Sequence, residues 1–568
     1  MNLANLGLTA LNAAQNRLQT AGHNLNNATT DGYNRQSVLV QTAGAKATGA
    51  GYIGRGVQAV TVQRSYDGFL YKQLVDAQSK GASITSYGNE IVQINNLFAD
   101  RSVGITPALQ KFFDGIQAVA SEPADSAARQ ELLGRAASLV GQINDANQFL
   151  NDQRGNINTQ ITTVVEQINS YVERIRDLNT RITTARASAT GAHEPNDLLD
   201  QRDQLLSELN QLVGVKSFEQ DGKVNLSIGN GQILLGGDTV YPLRAQPSAD
   251  DPQRTVLAYT IKDNTGNVIG VELDESRIKG GTLAGLISYR QEALDAVQNN
   301  LGRLAMGLAV AVNEAHAQGV DLGNIAGGHF FTDFTAAGSI KAVPGSHNSA
   351  GAPSITVDLT DVDALTAEDY RISVKRDETT GAPLGYEITS IPSGAVTPGP
   401  ALADTYPATV SLGGMAITFS AAPAPANVGD SWLIRPTRAA GADLSLEIND
   451  PANIAAAAPN TGNANGDNAL AMAKLQTQKT LGNGSMSFNE AFSQIVNKVG
   501  VLTQQNGTEA KATASLIQQN YAAQQAVSGV NLNEEYVQLM QFQEQFRAAS
   551  KLIDVSSSLF DTLLSLRT

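Results

Sequence analysis

No cysteine occurs among the 568 residues, which removes disulfides, thiol nucleophiles and Cys-based metal sites together. Charge is scarce. Asp, Glu, Lys and Arg make up 16% of the chain, against roughly a quarter in an average soluble domain. The balance is acidic, 39 basic residues against 54 acidic ones, for a formal net charge of −15. Such a chain repels phosphates and anionic headgroups, so neither nucleic acid nor a membrane is expected as a partner. No stretch approaches the roughly 18 consecutive apolar residues of a spanning helix. The N-terminus MNLANLGLTALNAAQ has no basic side chain before Arg17, and Asn and Thr break its apolar run. It does not read as a cleaved signal peptide, so export would need another route.

Catalytic patterns are missing as well. There is no G-x-S-x-G elbow, no P-loop and no H-E-x-x-H, and His23, His193, His316, His329 and His347 are scattered. Gly49-Ala50-Gly51-Tyr52-Ile53-Gly54 matches G-x-G-x-x-G. A dinucleotide site needs a buried strand before that motif and a helix after it. Here Ala- and Gly-rich chain precedes it and VQAVTV follows, so it reads as a connector. Asp358, Asp361, Asp363 and Asp369 form an acidic cluster without the alternating ligands and central Gly of a calcium loop, and read as a solvated loop. No catalytic, cofactor or metal site is expected.

At this length the chain should hold three or four domains. Residues 3 to 28 read as a helix with Leu11, Leu18 and Leu25 seven apart and Ala14, Ala21 and Ala28 between them, a narrow seam. Asp31-Gly32 stops it. Residues 37 to 64 are extended and Gly-punctuated, as in a connector. No proline lies between Pro123 and Pro195, which leaves room for a helix from about 125 to 186. There Ile157, Ile161, Val164, Ile168, Tyr171, Ile175, Leu178, Ile182 and Ala185 step by four and three like a coiled-coil seam. A shorter helix follows over 197 to 212. Two stretches, 215 to 280 and 333 to 450, alternate polar and apolar residues between turn residues and read as β-rich inserts around a helical segment, 282 to about 318. Residues 455 to 468 (AAAPNTGNANGDNA) read as a low-complexity linker, and 469 to the end as helix with breaks at 482 to 484 and 528 to 529.

At the C-terminal end Asn531 can cap a helix, with Glu534 reaching back in a capping box. Leu539, Phe542, Phe546, Ala549, Ile553, Ser556, Phe560 and Leu563 follow in steps of three and four, and Leu552, Leu559 and Leu566 widen the stripe. Periodicity alone leaves two readings open: both terminal seams pack on the chain's own core, or they pack between chains. The expected fold is α+β and multidomain, with a terminal coiled coil and a long-helix bundle carrying two β-rich inserts. The expected division is 1–35 with 530–568 (terminal coiled coil), 36–214, 281–332 and 464–529 (helical core), 215–280 (first insert) and 333–463 (second insert with linker). A serial string of domains is the alternative.

The segment Asn24-Leu25-Asn26-Asn27-Ala28-Thr29-Thr30-Asp31-Gly32-Tyr33-Asn34-Arg35-Gln36 resembles the N-terminal motif of the bacterial flagellar rod, hook and hook-associated axial proteins. The segment from Gly529 through Leu532, Asn533 and onward resembles their C-terminal motif. Asn26, Asp31, Asn533, Phe542 and Phe546 stand where Ala, Pro, Asp, Tyr and Tyr are commonest. Tyr33 with Arg35-Gln36, and the long helix after Gly56-Val57, are similar to the hook-associated members more than to hook or rod members. The resemblance implies a non-enzymatic, extracellular subunit joining hook to filament and exported by the flagellar type III apparatus. It also implies a layered body with the terminal helices innermost and the β-inserts outermost.

The implied partners are further copies of the chain, the hook protein, the next hook-associated protein towards the filament, and an export chaperone at the C-terminal helix. The assembly interface implied comprises Leu11, Leu18, Leu25, Asn24, Asn27, Gly32, Tyr33, Arg35, Leu532, Leu539, Phe542, Phe546, Ile553, Leu559, Phe560 and Leu563. Residues 1 to about 35 and 530 to 568 are expected to order on assembly, and the second insert to be dispensable for it. A hook or distal rod protein is one rival reading. An extracellular binding module or adhesin, and an enzyme seated in an insert, are the others.

Overall fold

The computed structural model describes residues 3–49, 51–99, 104–188, 193–229, 231–262 and 268–566; Ala50 of the Gly49–Gly54 motif lies outside them. The helices are α1 (Leu3–Asn27), α2 (Gly68–Ala99), α3 (Ile105–Ser121), α4 (Ser126–Ser188), α5 (Asn196–Leu212), α6 (Gly281–Tyr289), α7 (Asp295–Ala317), α8 (Ala440–Asp443), α9 (Asp467–Lys474), α10 (Phe488–Ser528) and α11 (Leu532–Ser565). A π-helical turn, Arg290–Leu294, joins α6 to α7.

The spine is α4, 63 residues long and about 95 Å at 1.5 Å per residue. Asp125 starts it by accepting from the backbone N–H groups of Ala127 (3.0 Å) and Ala128 (3.3 Å). Ile157, Ile161, Val164, Ile168, Ile175, Leu178 and Ile182 are all buried. Their partner is not one parallel rod, however, and here the coiled-coil expectation is corrected. The stripe faces α5, α6, α7 and the strands of the first insert. Three asparagines on α4 clamp strand backbones. Asn158 Oδ1 accepts from Thr255 N (3.0 Å) and its Nδ2 donates to Gln253 O (2.8 Å). Asn169 brackets Leu243 N and O at 2.9 Å each, and Asn179 brackets Val224 at 3.1 and 2.9 Å. Amide side chains suit this because each offers an acceptor for a backbone N–H and a donor for a nearby backbone C=O at once.

The first insert holds two sheets. One is four-stranded, in the order Val215–Gln220, Lys223–Ile228, Gln232–Gly236, Thr239–Val240; the other is three-stranded, in the order Val268–Glu272, Thr255–Lys262, Leu243–Pro247. The second insert is one eight-stranded antiparallel sheet, ordered Val396–Ala401, Pro383–Ile391, Asp369–Arg376, Ser431–Ile434, Ile340–Pro344, Ile355–Leu359, Met415–Phe419, Ala408–Leu412. Residues 37 to 64 form more than an open connector. Gln36–Thr42 pairs with Val57–Arg64 and Ala45–Thr48 with Gly51–Gly54, giving one long β-ribbon with the glycine motif at its tip.

Ion pairs hold the second insert to the body. Arg438, almost fully buried, binds Asp369 and reaches Asn299 Oδ1 on α7 at 3.2 Å. Arg435 meets Asp251 (2.9 Å) and Arg371 meets Asp250 (2.7 Å) in the first insert, while Asp295 meets Arg154 of α4 at 2.6 Å. The acidic cluster expected around 358 to 369 is therefore divided: Asp369 is buried against Arg438, while Asp361 is exposed and Asp363 half-buried in the turn that follows the strand Ile355–Leu359.

The linker expectation is corrected in its first residues. Ile454 to Ala457 are buried, with Val320 N donating to Ala457 O at 2.8 Å, Arg129 to Ile454 O at 2.8 Å, and Ala455 N to His316 Nε2 at 2.8 Å. Small side chains allowed this close packing, which low-complexity composition does not reveal.

Candidate assembly interface

Helices α1 and α11 lie against each other and run antiparallel. Gly7 meets Ile553 and Ala549. The Arg17 guanidinium donates to Gln545 Oε1 at 3.1 Å and lies 5.4 Å from the centroid of the Phe542 ring. Asn24 meets Glu535. The terminal seams thus cover each other within one chain, a pairing that neither of the readings left open by periodicity, the chain's own core or a neighbouring chain, names.

The centre of the contact also differs from the leucine heptad. Buried on α1 are Gly7, Ala13, Ala14, Ala21 and Asn24. Gly7, Ala14 and Ala21 are seven apart too, and their short side chains admit the close approach. A Cβ at Gly7 would stand 2.7 Å from Ile553 Cγ1. Leu11 and Leu18 flank this line half-buried, and Leu25 is exposed. On α11 the facing line is Glu535, Leu539, Phe542, Phe546, Ala549, Ile553 and Ser556, with Glu535, Ala549 and Ser556 buried and the others half-buried. Leu532, Leu559, Phe560 and Leu563 are exposed. The last two continue the line beyond the start of α1.

The N-terminal motif closes this pair at its other end. The Asn24 amide is fully satisfied: Nδ2 donates to Gln36 O (2.8 Å) and Glu535 Oε2 (3.1 Å), and Oδ1 accepts from Tyr33 Oη (2.7 Å) and Gln36 N (2.9 Å). Arg35 Nε donates to Glu535 Oε1 at 2.7 Å, and Arg35 N to Ser528 O at 2.9 Å. Burial pushes the Tyr33 hydroxyl up, and the carboxylates of Asp197, Asp200 and Glu535 push it further, so it remains protonated and donates. Gly32 has φ +77° and packs on Gln204; only glycine takes that conformation freely. Asn27 Nδ2 donates to His23 O at 3.0 Å.

The same motif ties the terminal pair to the helical body. Asn34 N and Nδ2 donate to Asp200 of α5 at 3.0 and 2.6 Å, and Gln36 Nε2 to Asp197 at 2.7 Å. Arg64, at the foot of the ribbon, binds Asp200 (2.8 Å) and Asp203 (2.7 Å). Asn24, Tyr33 and Arg35 thus meet in one joint around the buried Asn24 and Glu535, Gly32 lies exposed beside Gln204, and the leucines and phenylalanines of the expected interface lie along the helix pair.

Sequence reasoning missed Glu535, Asp200, Asp203 and Arg64. The available signal was charge, since Arg35 and Glu535 are opposite charges in the two terminal motifs. The expected capping box is corrected: Asn531 Oδ1 accepts from Asn533 N (3.0 Å) and Glu534 N (3.4 Å), but Glu534 is exposed and makes no return bond to Asn531. Its neighbour Glu535 turns inward.

A second apolar line on α11 faces solvent: Val537, Met540, Leu552, Val555, Leu559 and Leu566, with Leu566 80% exposed. On α1, Leu3 and Leu8 are exposed. No group of three potential metal ligands exists among the described residues. His316 is buried, with Nδ1 2.7 Å from Gly328 O and Nε2 accepting from Ala455 N, a satisfied core side chain. No described helix is long and apolar enough to cross a membrane.

The family model "Flagellar hook-associated protein FlgK helical domain" matches residues 91–331, and "Flagellar basal body rod FlgEFG protein C-terminal" matches 518–566. The chain is 35% identical over its full length, and over the full length of the relative, to flagellar hook-associated protein 1 of Salmonella typhimurium. It is 34% identical, again over the whole of both chains, to that of Escherichia coli. Among solved structures, the flagellar hook junction protein FlgK from Burkholderia pseudomallei superposes with a TM-score of 0.73 at 26% identity, over 80% of this chain and all of that one.

Proposed function

The chain belongs to the flagellar hook-associated protein 1 family, and from that premise we propose how it assembles. It is a structural subunit of the extracellular bacterial flagellum, at the junction of hook and filament. Neighbouring copies stack through the outer face of the α1–α11 pair, in contacts that repeat head to tail without closing. The observation that carries this is the apolar line Val537, Met540, Leu552, Val555, Leu559 and Leu566, left exposed among the described residues. A helix with apolar residues on two faces needs a second partner. The hook protein and the next hook-associated protein sit at the two ends of the stack, the chain leaves the cell through the flagellar type III apparatus, and an export chaperone holds the C-terminal helix before export. The division into terminal, helical-core and two β-insert domains belongs to the same proposal.

Electron microscopy of cells lacking this chain tests the junction role. Hooks without attached filaments are expected, with attachment restored by the intact gene. Normal filaments in the deletion strain would sink the assignment.

A further inference from the structure

Between Asp31 and Asp67 the chain has no acidic residue but carries Arg35, Lys46, Arg55 and Arg64. Setting those four positive charges aside from the net −15 leaves −19 for the rest. Arg35 and Arg64 are paired with Glu535, Asp200 and Asp203 at the foot, so Lys46 and Arg55 are what make the projecting part of the ribbon basic against an acidic body. Its foot lies at Asn24 near the end of α1, and Gly56 reaches Leu6 and Thr9 near the start. The ribbon therefore runs back along α1 and projects past it. Every described residue from Gly44 to Arg55 is exposed, Tyr52 at 83%. Lys46 and Arg55 have no ion pair among the described residues. A phenol ring and Ile53 held on a tip without a core do nothing for this chain's own folding.

At the opposite end of the terminal pair lies a groove of about 530 Å³ between the 27–33 loop, α4 and α5. That size suits a bound side chain or small ligand, for which sites run from about 300 to 1,000 Å³. Leu178 and Leu205 lie among its apolar lining, and five carboxylates stand against the guanidiniums of Arg174 and Arg181. Four of those carboxylates are engaged within the chain, Asp177 by Arg176, Asp197 by Gln36 and His23, Asp200 by Arg64, and Glu208 by the Gln204 amide at 2.8 Å. Asp31 and Glu208 have no ion pair among the described residues.

We propose that the ribbon tip, Tyr52 and Ile53 between Lys46 and Arg55, docks into this groove on the next copy of the chain. The tip and the groove lie at opposite ends of the α1–α11 pair, so the contact is heterologous and propagates. Lys46 and Arg55 meet Asp31 and Glu208, and the Tyr52 ring covers Leu178 and Leu205. The inference rests on the stacked assembly proposed above, and names a contact that the helix pair itself does not supply.

The absence of cysteine makes the test clean. Flagella from cells carrying Tyr52→Cys with Gln201→Cys, treated with a short bis-maleimide, should yield covalent dimers and higher multimers of this chain, with none from either single variant. Attached filaments without multimers would overturn the docking while leaving the junction role standing. A benzophenone on Tyr52→Cys that photocross-links only to a different protein would overturn it too. Lys46→Glu with Arg55→Glu should lower the flagellated fraction by about tenfold, and Asp31→Lys with Glu208→Lys in the same chain should restore it. No loss, or a loss without restoration, counts against the contact.

Discussion

Asn24 and Glu535, 511 positions apart in the chain, meet inside the terminal joint, where Asn24 Nδ2 donates to Glu535 Oε2 at 3.1 Å. Glu535 is almost fully buried and also takes the Arg35 guanidinium. One carboxylate thereby fixes the register of α11 against α1 and against the loop that follows α1.

Removing that carboxylate strands a guanidinium and an amide. Arg35 is a quarter exposed, which tempers the loss, and Glu535→Ala should cost about 2–3 kcal/mol. Tyr33→Phe leaves Asn24 Oδ1 its bond from Gln36 N and should cost about 1 kcal/mol. Urea unfolding of the purified monomer, followed by far-UV circular dichroism, measures both. A Glu535→Ala variant as stable as the parent would mean the joint is not formed in solution.

Gly7 sets the spacing of the helix pair. Gly7→Val brings branched carbons against Ile553, which already stands 2.7 Å from a hypothetical Cβ, and overpacking of this kind costs about 1–3 kcal/mol. Motility should fall, and Ile553→Ala in the same chain should recover part of it. Swarm diameters of the single and double variants give the comparison; a double variant no better than the single would count against the contact.

The two faces of α11 should separate folding from assembly. Phe546→Asp buries a charge in the chain's own helix pair and should loosen the monomer as well as abolish motility. Leu559→Asp acts on a residue about half exposed and on the face away from α1, so monomer stability should change little while motility is lost. Limited proteolysis beside swarming separates the cases, and motile cells carrying Leu559→Asp would remove the outer face from the account.

Acid should loosen the second insert from the body. Burial alone would push the Asp295 carboxyl up, but Arg154 and Arg438 outweigh it and hold the carboxyl well below the usual carboxylate range. Its contribution is present above the unfolded carboxylate value, near pH 4, and is lost as pH falls below that. In that window the unfolded chain binds the proton more readily, so stability rises with pH. Burial pushes Asp369, the other carboxylate on Arg438, up to about 6. Between about pH 4 and 6 its contribution therefore runs the other way, and the Asp295 loss shows only below about pH 4. Trp432, buried in the insert against Tyr386, should report the loss in its fluorescence together with the helical signal, because Arg438 couples the insert to α7. Asp295→Asn should flatten the pH dependence between about 2 and 4. An unchanged profile would show that this carboxylate does not hold the insert.

The helices and inserts were legible because local signals decide them. A proline-free stretch from 124 to 194 with an apolar stripe at helical spacing marked α4, and alternation between Gly- and Asn-rich turns marked the strands. Of the heptad on α11, Leu539, Phe542, Phe546, Ala549, Ile553 and Ser556 face α1 while Phe560 and Leu563 run past its start into solvent, since period is a property of one helix and says nothing of where the partner ends.

Partners were not legible, because a stripe states that a face is buried and not by what. The α4 seam reads as a coiled coil, yet shape and hydrogen bonding gave it strands, held by Asn158, Asn169 and Asn179. Composition likewise marked 455 to 457 as linker, while small alanines fitted a gap beside His316. The sequence by itself determined that two amphipathic helices stand at the two ends of the chain and that their motifs are those of a flagellar axial subunit. Only the tertiary structure decided that these helices pair with each other through Gly7, Ala14 and Ala21 and leave a second face open. Long-range pairing depends on which surfaces fit at close distance, and no local period encodes that.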